Sequence, residues 1–197
     1  MTSPAPLVWF RLFLAALAAS IAGPAAANPD VWVTANYILR LDESAVTELT
    51  VKWRFDPYYS DYAIYQYDLD SDGAFSGEEL APLSADLLEP LEDAGYFTTL
   101  TAGSLAAPAS IPSAEATIDG GALVITYTVR PKQPIAYRDT PISFSLHDEE
   151  VFFDFSLAEE DFLLVDGPLD PSCRFRVQRG EGLQKGHRQV ISLSCEE

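Results

Sequence analysis

Short runs of β-branched and aromatic residues, separated by turn-forming residues, recur along most of this chain and constrain its fold more than any other feature. The first two runs, residues 31–41 and 46–55, are separated by Asp42, Glu43 and Ser44 and predict a β-hairpin. Because the runs follow one another without alternating helices, we predict a mostly β (α+β) fold, an antiparallel Ig-like β-sandwich. The further predicted strands are residues 96–101, 115–118, 123–130, 142–147, 151–157, 162–165, 174–179 and 189–194.

A stretch with a different periodicity begins after the hairpin. Asp56 and Pro57 suit the N-cap and first positions of a helix. Apolar side chains recur at helical spacing over residues 58–67, and most of them are tyrosines. These tyrosines form either a binding face for sugar or peptide or part of the core beneath the helix. They are Tyr58, Tyr59, Tyr62, Tyr65 and Tyr67.

A second helix is predicted to begin near Ser76 and to end before Gly95. Ser76 and Glu79 have the spacing of a capping box. Pro82 is expected to kink or split this helix, because it lacks an N–H donor and its ring clashes with the preceding turn. The two helices and their loop form an insertion at residues 57–94 of the β domain. The apolar stripe of the second helix is Leu80, Leu83, Leu87, Leu88 and Leu91.

The loop between the two helices matches the calcium-loop pattern D-x-[DN]-x-[DN]-G-x₅-E at every specified position. Gly73 permits the sharp turn, and Phe75 supplies an apolar anchor. The predicted ligands comprise three aspartates, one backbone carbonyl, one hydroxyl that binds directly or through water, and one bidentate glutamate. In chain order they are Asp68, Asp70, Asp72, Ala74, Ser76 and Glu79.

The acidic side chains of this loop would repel one another without a cation, and the pattern therefore predicts one Ca²⁺ site. Mg²⁺ requires a tighter octahedral shell, and transition metals prefer nitrogen or sulfur ligands. A single loop, in a chain whose one methionine is Met1, favours a structural or fixed site over a sensor. The alternative interpretation is a solvated acidic loop.

The charge balance excludes several classes of function. The 197 residues include 12 Lys and Arg against 30 Asp and Glu, a formal net charge of −18. Nucleic-acid binding and attachment to anionic membranes both need clustered cations, which this composition lacks. Two histidines and two cysteines do not supply an ordinary four-ligand zinc site. The composition favours hard cations bound through oxygen.

The first 27 residues are predicted to be a secretory signal peptide. One basic residue, Arg11, precedes an apolar run at residues 12–22, and small residues follow. An uncleaved anchor is the alternative, although the run is shorter than a membrane span. Cleavage leaves a single periplasmic or secreted domain, residues 28–197, that does not insert into the membrane. In an oxidising compartment Cys173 and Cys195 are expected to form a structural disulfide rather than a redox-active or metal-binding pair.

Several segments together resemble one protein family. They are N-P-D-V-W-V (28–33), T-V-K-W-R-F-D (50–56), D-L-D-S-D-G (68–73), L-E-D-A-G-Y-F-T (91–98) and D-G-P…C (166–173). The chain resembles the domain-of-unknown-function family 1007, regarded as the periplasmic component of an uncharacterised ABC-type transport system. The resemblance implies a non-catalytic accessory role, with a membrane permease or transport complex of the nickel/cobalt type as partner.

The start of the predicted mature chain departs from that family. Members begin H-P-H-V-W-V, whereas Asn28 and Asp30 occupy the histidine positions here. Amide and carboxylate oxygens are poorer ligands for nickel or cobalt than imidazole is. A calcium-binding accessory protein is therefore the first hypothesis. A transition-metal capture component for a permease is the alternative.

Other acidic clusters suggest further alternatives. His147 precedes Asp148 and two glutamates, which form either a divalent-metal site at a strand end or a solvated turn. The acids at 159–161 raise the alternative of a secreted hydrolase that uses paired carboxylates. His187 is expected on a surface turn. Trp32 and Trp53 are expected in the core of the hairpin.

Overall fold

The described chain alternates long strands with short ones and contains one helical region. The computed structural model describes residues 30–179 and 188–196. Its strands are β1 (Val31–Asp42), β2 (Ala45–Phe55), β3 (Thr98–Ala102), β4 (Leu105–Ala106), β5 (Ala109–Ser110), β6 (Ala114–Asp119), β7 (Ala122–Pro131), β8 (Ile135–Ala136), β9 (Ile142–Leu146), β10 (Phe153–Leu157), β11 (Leu163–Asp166), β12 (Cys173–Arg179) and β13 (Gln189–Cys195). The predicted signal peptide at 1–27, Asn28 and His187 lie outside the described residues.

The helical region lies between β2 and β3. It comprises α1 (Pro57–Tyr67), a 3₁₀ turn (Gly77–Glu79), α2 (Leu80–Leu83), a π-helical segment (Ser84–Leu88), α3 (Glu89–Asp93) and a second 3₁₀ turn (Gly95–Phe97). Among the described helices, none combines the length and the apolarity needed to cross a membrane.

The strands form two sheets. In the first, of eight strands, the order is β10-β1-β2-β7-β5, with β11 also paired to β1, β6 to β7 and β8 to β2. In the second, of five strands, the order is β12-β13-β9-β3-β4. Two sheets and one helical region confirm the prediction of a mostly β, α+β fold.

The pairing is not antiparallel throughout. β1 pairs parallel with β10, where Val31 lies opposite Phe153, and parallel with β11, where Tyr37 lies opposite Leu163. The prediction of an antiparallel sandwich is wrong for these two pairs. Short spacing between strand runs favours hairpins. β10 and β11, however, reach the free edge of β1 only after the chain has passed through the second sheet, and parallel strands need such long crossovers.

The core lies beneath the first sheet and is rich in aromatic rings. Trp53 is fully buried, with six rings whose centroids lie 5.0–6.4 Å from its own. Trp32, in contrast, is 52% exposed, and its prediction as a core residue is wrong. Successive residues of a strand point to opposite faces, and Val31 and Val33 take the inward positions on either side of Trp32. The six rings belong to Phe55, Tyr96, Phe97, Tyr127, Phe153 and Phe155.

A buried serine fastens α1 to the first sheet. The Asp56 carboxylate caps the helix by accepting the N–H groups of Tyr58 and Tyr59, as predicted. Ser60 is fully buried, its hydroxyl donating to the Phe55 carbonyl and accepting the Leu123 N–H at 3.0 Å. These bonds fix one end and one face of α1 and hence the start of the loop that follows it.

The second predicted helix is divided, as Pro82 indicated. Leu83, Leu87 and Leu91 are buried at four-residue spacing, whereas Leu80 is 47% exposed. The predicted apolar stripe therefore faces the core from Leu83 onward and not at Leu80. The core-facing row begins one turn later because Leu80 still adjoins the solvent-exposed loop.

The disulfide joins two adjacent strands near their ends. Cys173 and Cys195 lie directly opposite one another in the antiparallel pair of β12 and β13 and are bonded. This confirms the predicted pairing. Closing a loop with a sequence separation of 22 residues stabilises the folded state by about 3 kcal/mol in the chain-entropy model.

Candidate metal centre

The candidate metal loop begins where α1 ends. The Asp68 N–H donates to the Ile64 carbonyl at 2.9 Å and so completes the last turn of the helix. The chain reverses at Gly73, whose φ of +82° is a conformation that residues with a Cβ rarely adopt. Phe75 is 9% exposed and belongs to the hydrophobic core, which confirms it as the apolar anchor of the loop.

Three carboxylates meet in this loop. One carboxylate oxygen from each of Asp68, Asp70 and Glu79 lies within 4.8 Å of the other two. Asp68 is 8% exposed and Glu79 is 5% exposed, while Asp70 is open to solvent. Two of the three acids are therefore shielded by protein on most sides, although the loop itself lies at the surface.

Glu79 is held by the backbone of the loop. Its Oε2 accepts the N–H of Ser76 at 2.9 Å, and its Oε1 accepts the N–H groups of Leu69 at 2.6 Å and Asp70 at 3.4 Å. The Ser76 bond, together with those from Leu69 and Asp70, lowers the pKa of Glu79 below its ordinary value, against the opposing effect of burial. Glu79 is therefore an anion at neutral pH.

Asp68 organises the turn in the same way. Its Oδ1 accepts the N–H of Asp72 at 3.1 Å, and its Oδ2 accepts the N–H of Gly73 at 3.1 Å. The side chain at the first position of the loop thus fixes the backbone four and five positions later. Carboxylates held by backbone donors need little rearrangement to present their remaining lone pairs to a cation.

Asp72, the other predicted acidic ligand, is not among the carboxylates that meet in the loop. Asp72 is exposed, and its Oδ1 accepts the N–H of Ala74 at 2.8 Å. Ser76 is exposed and contributes its N–H to Glu79. The structure therefore brings together the carboxylates of Asp68, Asp70 and Glu79, while Asp72, Ala74 and Ser76 are exposed.

The chemistry available to the three acids is that of an anionic, all-oxygen donor set. Carboxylates this close repel one another, and the backbone N–H groups that bind Asp68 and Glu79 offset that repulsion. A hard divalent cation would bind such a set through the lone pairs that remain. The donors thus fit Ca²⁺, because both the type of atom and the sign of the charge are right.

The other acidic candidates are engaged differently. Asp148 is 6% exposed and accepts N–H groups from Glu150, Phe152 and Phe153 at 2.9–3.0 Å. It closes the turn before β10, so its carboxylate is used by the backbone. The acids at 159–161 are exposed on the connection between β10 and β11.

Comparison with known protein families finds a match that covers most of the chain. The family model described as "Protein of unknown function (DUF1007)" matches residues 13–194. The chain belongs to this family. Membership in DUF1007 confirms the family suggested by the sequence segments, and the description itself states no activity. No curated protein matches the chain.

Three of the segments that suggested the DUF1007 family lie in the candidate loop or in the elements that lead into and out of its helical region. Residues 50–56 end β2 and reach the N-cap of α1, residues 68–73 form the first half of the loop, and residues 91–98 lead from α3 into β3. Sequence reasoning did not single out Asp61 as a candidate functional residue. Asp61 is exposed on α1 between the tyrosines. It lies three residues after Tyr58 and four before Tyr65, and this spacing, which places side chains on one side of a helix, was the available signal.

Proposed function

We propose that this chain is an extracytoplasmic, non-catalytic accessory protein that binds one calcium ion in the loop at residues 68–79. The observation that carries the proposal is the meeting of the Asp68, Asp70 and Glu79 carboxylates within 4.8 Å in a loop whose sequence matches the calcium pattern. Helix, loop and helical segments follow in the order of an EF-hand, inserted into an Ig-like sandwich.

The proposed shell combines the three acids with the three other predicted ligands. Asp68, Asp70 and Glu79 would hold the ion directly, while Asp72, the Ala74 carbonyl and Ser76 complete the oxygen set. Calcium tolerates this irregular arrangement better than magnesium, which requires a small octahedral shell. The ion supplies charge neutralisation and a fixed link between α1 and the second helical segment.

A structural role for the ion is favoured over a sensing role. The helices on both sides of the loop are already packed, α1 through Ser60 and the second segment through Leu83, Leu87 and Leu91. An ion between them would stabilise this packing by about 2.7 kcal/mol at a calcium concentration roughly a hundredfold above the Kd.

The disulfide supports an extracytoplasmic location, because such bonds persist in oxidising compartments. Calcium is abundant there, and sites with a Kd of about 10⁻⁴ to 10⁻³ M are useful. The expected partner, a permease or transport complex, rests on the family resemblance alone. Co-purification of the exported protein with membrane transporters from its native source tests that part separately.

Calorimetric titration of the purified protein with Ca²⁺ tests the metal site. We expect saturable binding of one ion with a Kd of about 10⁻³ M or lower, weaker binding of Mg²⁺, and a rise in melting temperature with calcium. Absence of both heat and a melting shift at millimolar calcium would overturn the proposal. Titrations with Ni²⁺, Co²⁺ and Zn²⁺ test the alternative, because tight binding of any of these ions would favour transition-metal capture.

A further inference from the structure

The outward face of α1 carries a row of exposed aromatic rings. Tyr58, Tyr62 and Tyr65 are 84%, 57% and 86% exposed. With the exposed Asp61 they occupy positions i, i+3, i+4 and i+7, which lie along one side of a helix. We call Tyr58, Asp61, Tyr62 and Tyr65 the tyrosine face.

The helix beneath this face is firmly held. Ser60 and Ala63 are buried on the opposite side, Asp56 caps the N-terminus, and Tyr59 stacks on Phe55 with ring centroids 5.1 Å apart. The rings of the tyrosine face therefore project from a fixed backbone. Tyrosines presented in this way contribute a large contact area at a small cost in conformational entropy.

The exposed rings have few partners within the protein. Among the described residues, the Tyr58 and Tyr65 side chains make no hydrogen bond and no ring contact, and Tyr62 contacts only the ring of Tyr59, at 6.2 Å. The described face thus leaves the flat, electron-rich sides of at least two rings open to solvent. Such surfaces attract Lys and Arg side chains.

The chain segment that contains the face carries charge of one sign. Between Arg54 and Arg130 the sequence contains no Lys or Arg, and residues 56–93 contain eleven acidic residues. Arg54 is itself paired with Asp119. No cation from this segment therefore occupies the rings, and its eleven acids, in a chain of net charge −18, attract cations from outside.

We propose that the tyrosine face docks a Lys/Arg-rich polypeptide segment of a partner. Cationic side chains would lie over the rings of Tyr58, Tyr62 and Tyr65, and Asp61 would pair with one of them. Charge complementarity selects this occupant over a nucleic acid or an anionic membrane, since both carry the same sign of charge as the protein. The proposal goes beyond calcium binding and does not require it.

Fluorescence anisotropy with a labelled ten-residue polyarginine peptide, in millimolar calcium, tests the proposal. The Tyr58→Gln/Tyr65→Gln double variant should bind the peptide roughly 5- to 30-fold more weakly, because each exposed cation–π contact changes affinity by about 2- to 5-fold. The Tyr58→Phe/Tyr65→Phe variant keeps both rings and should bind within about twofold of the wild type.

Matched controls separate the rings from general charge. Leu105→Gln removes another exposed apolar side chain, 73% exposed on β4, and should leave peptide affinity unchanged. Asp61→Asn should weaken binding more than Glu160→Gln, which removes one exposed charge elsewhere. All of these positions are exposed, so melting temperatures near the wild-type value should accompany the binding data.

Three results would overturn the proposal. The first is equal affinity of the wild type and the Tyr→Gln double variant for polyarginine, which would leave only diffuse electrostatics. The second is equally tight binding of an uncharged Gly/Ser peptide or a neutral oligosaccharide of similar size. The third is self-association in sedimentation that the double variant abolishes, since the face would then bind a second copy of this chain.

Discussion

The backbone N–H of Leu69 donates a hydrogen bond to Oε1 of Glu79 at 2.6 Å, which joins the second and last positions of the candidate calcium loop. The same carboxylate binds the Ser76 N–H through its other oxygen. Glu79 therefore contributes to the shape of the loop by itself, before any ion is considered. A variant that tests calcium binding must keep this shape as far as the chemistry allows.

Glu79→Gln is the variant that best meets this requirement. Glutamine keeps one acceptor oxygen for the Leu69 N–H but loses the second acceptor and the negative charge. We expect calcium affinity to fall roughly 10- to 100-fold, since the bidentate carboxylate closes the shell of such loops. Calorimetric titration of the variant measures this loss.

Glu78→Gln is the matched control for that experiment. Glu78 is exposed, adjoins Glu79 and lies outside the predicted ligand set. Its substitution removes the same charge and should change calcium affinity by less than about threefold. Similar losses in the two variants would mean that the overall negative charge of the loop, and not ligation by Glu79, determines the affinity.

Ser60→Ala should destabilise the protein by about 1–3 kcal/mol, because it leaves the buried Leu123 N–H without an acceptor. Urea unfolding followed by circular dichroism measures the change. Ser104→Ala, at an exposed turn position, is the control and should stay within about 0.5 kcal/mol of the wild type. A Ser60→Ala variant as stable as this control would contradict the role assigned to the hydroxyl.

The two tryptophans of the hairpin should differ sharply in their effect on stability. Trp53→Ala removes the fully buried centre of the aromatic core and should cost about 3–5 kcal/mol. Trp32→Ala, on the outward face of the neighbouring strand, should cost less than about 1 kcal/mol. The free energies of unfolding in denaturant give the loss of stability in each variant. Comparable losses in the two variants would contradict the orientation of β1, in which Trp32 points outward.

Asp170 should make stability depend on pH in the acid range. Its carboxylate accepts the N–H and the hydroxyl of Ser172 and pairs with Arg138, and the Ser172 N–H is the largest cause that lowers its pKa. The pKa of Asp170 is lower in the folded state than its ordinary value of 3.8. The ionised carboxylate therefore stabilises the folded protein at pH values above that ordinary pKa. That contribution disappears as the pH falls through the lower, folded-state pKa.

The Asp170→Asn variant should therefore melt at a lower temperature than the wild type at pH 7. This gap in melting temperature should close as the pH falls below the ordinary pKa of the carboxyl group. Thermal melts across the acid range, with calcium chelated, measure the gap. Asp139→Asn, at an exposed position nearby, controls for net charge. A gap that stays constant from neutral pH into the acid range would contradict the lowered pKa of Asp170.

Most of the strands could be predicted from local patterns. The hairpin of β1 and β2 follows from its alternating residues and short polar turn, and the cap at Asp56 follows from the Asp-Pro dipeptide. The calcium-loop pattern likewise identified Asp68, Asp70 and Glu79, whose carboxylates meet in the structure. These features depend on neighbours within a few residues, which the sequence displays directly.

The parallel strands on β1 depend on residues far apart in the chain. Phe153 and Leu163 face β1 because its free edge accepts strands that return from the second sheet, and no local pattern specifies that direction. The π-helical segment at Ser84–Leu88 is a similar case. Pro82 indicated a kink or split in the helix but not its form.

The sequence by itself determined the strand runs, the helix cap, the spacing of the loop acids and the absence of cations over residues 55–129, because each is a property of nearby residues or of composition. Only the tertiary structure decided that Trp53 is buried and Trp32 exposed, and that Tyr58, Tyr62 and Tyr65 face solvent while Tyr59 packs on Phe55. The physical reason is that both faces of a strand or helix can carry aromatic residues. Which face is buried depends on the sheet that packs against it.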